Sequence, residues 1–171
     1  FNKHAASVLN FAYRFLGNRA RAEEIAQDVF LQVHRWQERY EPKAKFSTWL
    51  FKIANNHCIN EVRKAEYGVS IDSLDQSSDG EDEAPPRALP DQEGWSGDEL
   101  LAAKETADRI KEILGRIPDT QRTALLLSRL EGLSYREVAG VLGCSEKAVK
   151  SLVFRATQSL RVGLKDVLRT A

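Results

Sequence analysis

The sequence predicts an all-α protein, built as two small helical domains on either side of an extended acidic linker. Charge is the first observation. The 171 residues sum to zero, yet residues 1–65 carry 11 Lys/Arg against 6 Asp/Glu, residues 66–99 carry 1 against 11, and residues 100–171 carry 13 against 8. The second is periodicity, because apolar residues in both basic blocks recur at helical spacing. The third is that no run of β-branched residues with period two competes in the first block. The expected boundaries are 1–66, 67–97 and 98–171.

In the first block, Val8, Phe11, Ala12, Phe15 and Leu16 form a helical stripe that stops at Gly17-Asn18, a C-cap signal. A second helix is predicted from near Arg21, with Ile25, Val29, Val33 and Trp36 as its core stripe and Glu23, Glu24 and Asp28 in its early turns. Tyr40-Glu41-Pro42 ends it. Ser47 then reads as the N-cap of a third helix carrying Trp49, Leu50, Ile53, Ala54 and Cys58.

The middle segment is rich in Ser, Asp, Gly and Pro. Low hydrophobicity with high net charge cannot offset the entropy lost on packing, so it reads as a flexible tether. The last block opens with a helix near Asp98, with Leu101, Ile110, Ile113 and Leu114 as candidate core. Gly115 to Pro118 breaks it, and Asp119 or Thr120 is placed to cap the next helix, which ends at Gly132.

The segment after that carries the strongest local signal. Ser134-Tyr-Arg-Glu137 is a capping box, in which each residue's side chain reaches the other's backbone N–H. Ala139 is small enough for two helices to cross closely. Gly143 permits the positive φ of a tight turn, and Ser145 caps a second helix whose Val149 packs back on the first. This combination resembles the DNA-binding helix-turn-helix. The outward face of the second helix presents Glu146, Lys147, Lys150, Ser151, Phe154 and Arg155, side chains able to reach phosphates and base edges in a major groove.

Over nearly its whole length the sequence resembles the extracytoplasmic-function (group IV) sigma factors of bacterial RNA polymerase. The C-terminal block is similar to their region 4 through Ile117-Pro-Asp-Thr-Gln-Arg122, Leu130-Glu-Gly-Leu-Ser-Tyr-Arg-Glu-Val-Ala139, Val149-Lys-Ser151 and Phe154-Arg-Ala156. The N-terminal block is similar to region 2 through Ala22-Glu-Glu-Ile-Ala-Gln-Asp-Val-Phe30, Phe46-Ser-Thr-Trp-Leu50, Ile53-Ala-Asn-Asn56 and Arg63-Lys64. The resemblance implies an alternative sigma factor, a non-enzymatic subunit that directs core RNA polymerase to promoters and helps melt them. It implies that Glu23, Glu24, Gln27, Asp28 and Gln32 face core polymerase. It assigns the −10 element to Lys43, Lys45, Phe46, Trp49, Lys52, Asn55, Asn56, Asn60 and Arg63. Aromatics, amides and cations together suit the capture of an unstacked base and its single strand, although Trp49 reads more as core than as a stacking platform. It assigns the −35 element to Lys147, Lys150, Ser151, Phe154 and Arg155. Thr157 departs from the pattern, since many members carry a basic residue there. The acidic segment corresponds to the linker that relatives thread through polymerase channels, and an anti-sigma factor is an expected partner.

A conventional helix-turn-helix regulator acting without polymerase is the alternative, but it leaves the region 2 motifs unexplained. A nucleic-acid enzyme finds no phosphate-cradling loop, carboxylate metal cluster or nucleophile–base pair. No metal or cofactor is expected: Cys58 and Cys144 lack zinc spacing, and Cys58 beside His57 reads as a buried helical thiol. No apolar run approaches the roughly 20 residues of a membrane span, so a cytoplasmic protein is expected. The sequence contains no Met, so Phe1 is not expected to be the translational start.

Overall fold

The computed structural model describes residues 2–36, 45–67 and 97–170, and all regular structure among them is helical. The elements are α1 (Asn2–Leu16), α2 (Arg19–Trp36), α3 (Phe46–Tyr67), α4 (Gly97–Arg116), α5 (Asp119–Arg129), α6 (Tyr135–Leu142) and α7 (Glu146–Thr170). The linker residues 68–96, Lys43, and Tyr40-Glu41-Pro42 lie outside the described residues.

The first three helices share one core. Val8, Phe11, Ala12 and Phe15 of α1 meet Ala22, Ile25 and Val29 of α2 and Leu50, Phe51, Ala54 and Cys58 of α3. The Phe11 ring lies edge-on to Phe51 at 5.7 Å and tilted to Phe15 at 5.8 Å, the offset geometry that aromatic quadrupoles favour. Gly17 ends α1 with φ 71°, as its lack of a Cβ allows, and its N–H donates to Tyr13. Asn18 then caps α2, its Oδ1 accepting from the Arg21 N–H at 3.0 Å, so the helix starts at Arg19 rather than near Arg21.

Three local expectations are corrected. Ser47 is not the cap of α3: the helix begins at Phe46, and the Lys45 carbonyl accepts from Thr48 and Trp49. Neither Asp119 nor Thr120 caps α5; its N-cap is Pro118, without a side-chain bond, and Asp119 instead pairs with Arg122 at 3.1 Å. Trp36 is not core but 46% exposed. α2 has 18 residues and the α1 against which it packs has 15, and the side chains of its last turn, His34 to Trp36, are exposed.

In the C-terminal block, α5 and α6 pack with α7 around Leu126, Leu127, Val138, Val149 and Val153. α4 crosses α7 closely, because Gly163 leaves room for Ile113; a Cβ there would sit 2.8 Å from that side chain. The two blocks are also joined. α1 packs on α5 and α3 packs on α6, and the buried Arg122 guanidinium lies at the junction. It donates to Phe15 O at 2.5 Å and Ile117 O at 3.1 Å, and lies 4.5 Å from the centre of the Phe15 ring. Phe15 sits at the end of α1, and Ile117 directly follows α4. One cation therefore serves carbonyls at two helix C-termini, where the backbone dipole is negative and acceptors lack intrahelical donors.

Candidate nucleic-acid interface

The helix-turn-helix forms as its local chemistry dictates. The Glu137 N–H donates to Ser134 Oγ at 3.3 Å, and the Ser134 N–H donates to Glu137 Oε2 at 2.8 Å, completing the capping box. The Ser134 hydroxyl also donates to Glu137 Oε2 at 2.7 Å, and this bond first, then the Ser134 N–H and Lys45, hold the Glu137 carboxyl down at about 2. Gly143 takes φ 67° and ψ 34°, the left-handed conformation the turn needs. Ser145 Oγ accepts from the Ala148 N–H at 3.2 Å and caps α7.

The periodicity of α7 then separates its faces. Val149, Val153 and Ala156 are buried on the side that packs with α5 and α6. Lys147, Lys150, Ser151, Phe154 and Arg155, at steps of three, one, three and one residues, share the opposite face and are all exposed. Phe154 is 64% exposed among these cations. Ser151 Oγ meanwhile donates back to Lys147 O at 3.3 Å.

The described residues among those assigned to the −10 element do not form one surface. Lys52, Asn56, Asn60 and Arg63 make an exposed stripe along α3. Phe46 is exposed at the start of that helix and stands between His4 at 5.6 Å and Trp49 at 5.8 Å. Trp49 is half-buried and packs on the core, as its spacing suggested. Asn55 is different: it is 3% exposed, and its Oδ1 accepts from Thr123 Oγ1 of α5 at 2.6 Å. Lys45 reaches across to Glu137 of α6 at 3.0 Å.

On α2, Glu23, Glu24, Gln27 and Asp28 are exposed and Gln32 is half-buried. Glu23 pairs with Arg19 at 3.0 Å and Glu24 with Arg21 at 2.7 Å, so two of the acids are locally compensated. Gln32 bonds to His57 of α3 at 2.7 Å. Asp28 shares an open groove between α2 and α3 with His57, Asn60, Arg63 and Lys64, so the edge of the acidic face adjoins the α3 stripe. Among the described residues no cluster of His, Cys, Asp or Glu is placed to hold a metal. Cys58 is buried, and burial pushes its thiol up to about 12, so it is a protonated core group and not a nucleophile. No helix among the described residues is long and apolar enough to cross a membrane.

Arg122 was the residue the sequence motifs contained without revealing its role. The available signal was a lone cation at the start of the otherwise apolar Ala124–Leu127 run, a position that buries with the helix face.

These features agree with what known proteins share with the chain. Residues 1–67 match the family Sigma-70 region 2, and residues 107–160 match Sigma-70, region 4. The RNA polymerase sigma-H factor of Pseudomonas aeruginosa is 30% identical over 173 residues, covering 99% of this chain and 86% of that protein. RNA polymerase sigma factor CarQ of Myxococcus xanthus is 32% identical, covering 94% and 84%. The ECF RNA polymerase sigma factor SigW of Bacillus subtilis is 28% identical, covering 94% and 84%. Among solved structures, the sigma factor RpoE in complex with the anti-sigma factor NepR, from Bartonella quintana, superposes with a TM-score of 0.67 at 25% identity, covering 94% of this chain and 91% of that one. CnrH in complex with the cytosolic domain of CnrY also superposes with a TM-score of 0.67, at 22% identity, covering 96% and 84%, and supports the fold. The chain belongs to the sigma factors of bacterial RNA polymerase, in the extracytoplasmic-function branch. Its partners are therefore core RNA polymerase and promoter DNA, and its function is to direct the one to the other and to help melt the DNA.

Proposed function

We propose that residues 1–66 bind core polymerase and recognise and melt the −10 element, that residues 98–171 read the −35 element, and that the acidic 67–97 segment links them. The observation that carries this reading is the separation of faces on α7. Three cations, a serine and an exposed aromatic share one side of a helix presented by a helix-turn-helix. Lys150 and Arg155 contact phosphates and base edges in the major groove, while Phe154 offers an apolar surface to a thymine methyl.

The α3 stripe of Lys52, Asn56, Asn60 and Arg63 supplies cation and amide groups along one line, which suits a single strand passing over the helix. Phe46 lies at its entrance, Lys43 and Lys45 bring further charge, and Trp49 supports Phe46 from behind. The exposed side of α2, from Glu23 and Glu24 through Gln27 and Asp28 to Gln32, meets core polymerase as one polar helix face against another. The linker holds 11 acidic residues against 1 basic over residues 66–99, a polyanion suited to channels that otherwise hold RNA. The protein acts in the cytoplasm, performs no catalysis of its own, and is restrained by an anti-sigma factor. The last point is supported by the similar fold seen in complexes with such factors.

Footprinting with reconstituted holoenzyme tests the division of labour. Lys150→Ala with Arg155→Ala should remove protection of the upstream element, leaving the downstream contacts dependent on Asn56 and Arg63. Asn56→Ala with Arg63→Ala should instead abolish permanganate reactivity of melted thymines. Equal loss at both elements from either pair would refute the assignment.

A further inference from the structure

Gln32 and His57 meet across the seam between α2 and α3, with Gln32 Oε1 at 2.7 Å from His57 Nε2. A carbonyl oxygen carries no proton, so Nε2 is the donor, as it is both in the Nε2–H tautomer and in the imidazolium. That direction fixes the Gln32 amide. Its oxygen is turned toward α3, and its nitrogen, with two N–H groups, lies on the opposite branch. Gln32 stands four residues after Asp28 and eight after Glu24, on the polar side of α2, and is half-buried where those two are exposed. Leu31 beside it is 54% exposed.

His57 projects from a helix that is itself held firmly. Ile53, Ala54 and Cys58 of α3 are buried in the N-terminal core, which leaves residue 57 at the edge of their face. One turn further on, Glu61 of α3 pairs with Arg21 of α2 at 3.1 Å. Ile25 and Val29 of α2 are buried in the same core as Ala54 and Cys58, so apolar packing already joins the two helices. A half-exposed neutral hydrogen bond adds little to that, because water offers a similar one in the unfolded chain. What the His57 bond supplies is orientation. An unrestrained Gln side chain samples several rotamers and loses that freedom on association, whereas one fixed beforehand does not.

We infer that His57 is a positioning residue for core-polymerase binding: it holds the Gln32 carbonyl so that the Gln32 amide N–H groups meet an acceptor oxygen on polymerase, beside an apolar contact made by Leu31. This rests on the assignment of the α2 face to polymerase made above. His57 touches Gln32 and acts through it.

Affinity of the full-length chain for purified core polymerase, measured by biolayer interferometry, tests the inference. Gln32→Glu keeps an acceptor for His57 but has no N–H to offer, and should weaken binding about tenfold. His57→Leu keeps apolar bulk but releases the amide, and should weaken binding about three- to tenfold, the cost of ordering one flexible side chain. His57→Gln restores an N–H donor and should recover most of that loss. Gln32→Glu combined with His57→Leu should bind no worse than Gln32→Glu alone, since His57 has no separate contact to lose. Additive losses in the double variant, or no recovery with His57→Gln, overturn the positioning role. Parental affinity of Gln32→Glu overturns the donor role of the amide, provided that Glu24→Ala, Asp28→Ala, Leu31→Ala and Gln32→Ala together still weaken binding. Parental affinity of that fourfold variant faults the polymerase-face assignment instead.

Discussion

Replacing Arg122 by Met should destabilise the chain by about 3 kcal/mol, a figure that follows from the acceptors it leaves behind. Two of its bonds to backbone carbonyls are well formed, at 2.5 Å to Phe15 O and 3.1 Å to Ile117 O; its 3.1 Å pair with Asp119 involves a carboxylate that solvent still reaches and is left out of the sum. Charge-assisted bonds of this kind contribute about 1.5–3 kcal/mol each. The contact to Gly115 O, at 3.4 Å, is too long to count. The two bonds then sum to about 3–6 kcal/mol, and relief of the guanidinium's desolvation offsets part of it. Met keeps an unbranched aliphatic stem of similar length but loses the guanidinium that lies over the Phe15 ring, so the change reads the head group. Urea unfolding followed by far-UV circular dichroism would read the change. With a slope of about 2 kcal/mol/M for a chain of this size, the midpoint should fall by about 1.5 M. Arg122→Lys should recover less than half of it, since an ammonium cannot span carbonyls of two helices with one planar fork. A midpoint shift below about 0.3 M for Arg122→Met would refute the view that this cation ties α1 to α4 and α5.

Other outcomes follow from the same geometry. Ser134→Ala should cost about 1 kcal/mol by removing the cap of α6. It should also flatten the acid limb of stability: Glu137 is depressed to about 2 from 4.5, so its contribution is present above 4.5 and lost as pH falls from there toward 2. Thermal melts from pH 6 to pH 2.5 on both chains check this, and parallel curves would contradict it. A thiol reagent at pH 8 should modify the exposed Cys144 promptly and the buried Cys58 only after denaturation; two equal fast phases would be inconsistent with the core. Lys150→Ala should lower the slope of log affinity against log salt for −35 duplex by about one, while Phe154→Ala leaves the slope unchanged and weakens preference for thymine.

What could be read in the sequence was what neighbouring residues decide among themselves. The capping box at Ser134, the left-handed turn at Gly143, the cap at Ser145 and the two faces of α7 all depend on groups within a few positions of one another. Helix ends were less legible where backbone alone sets them. Pro118 and Lys45 start α5 and α3 without the side-chain caps that Asp119 and Ser47 suggested. Asn55 and Asn56 are adjacent and chemically identical, and only the position of α5 decides that one is covered and the other exposed. Thr123 lies 68 positions from Asn55 and Phe15 lies 107 from Arg122, separations over which periodicity carries no information. The junction of the two blocks was accordingly invisible, although every residue in it was plainly visible.

Transcription in vitro with purified core polymerase and a promoter library is the most direct test of the account. The account predicts specific initiation that depends on this chain, falls sharply with Lys150→Ala and Arg155→Ala, and loses promoter opening with Asn56→Ala and Arg63→Ala. Tight sequence-specific binding by the chain alone, with no stimulation of core polymerase at any of those sequences, would contradict it.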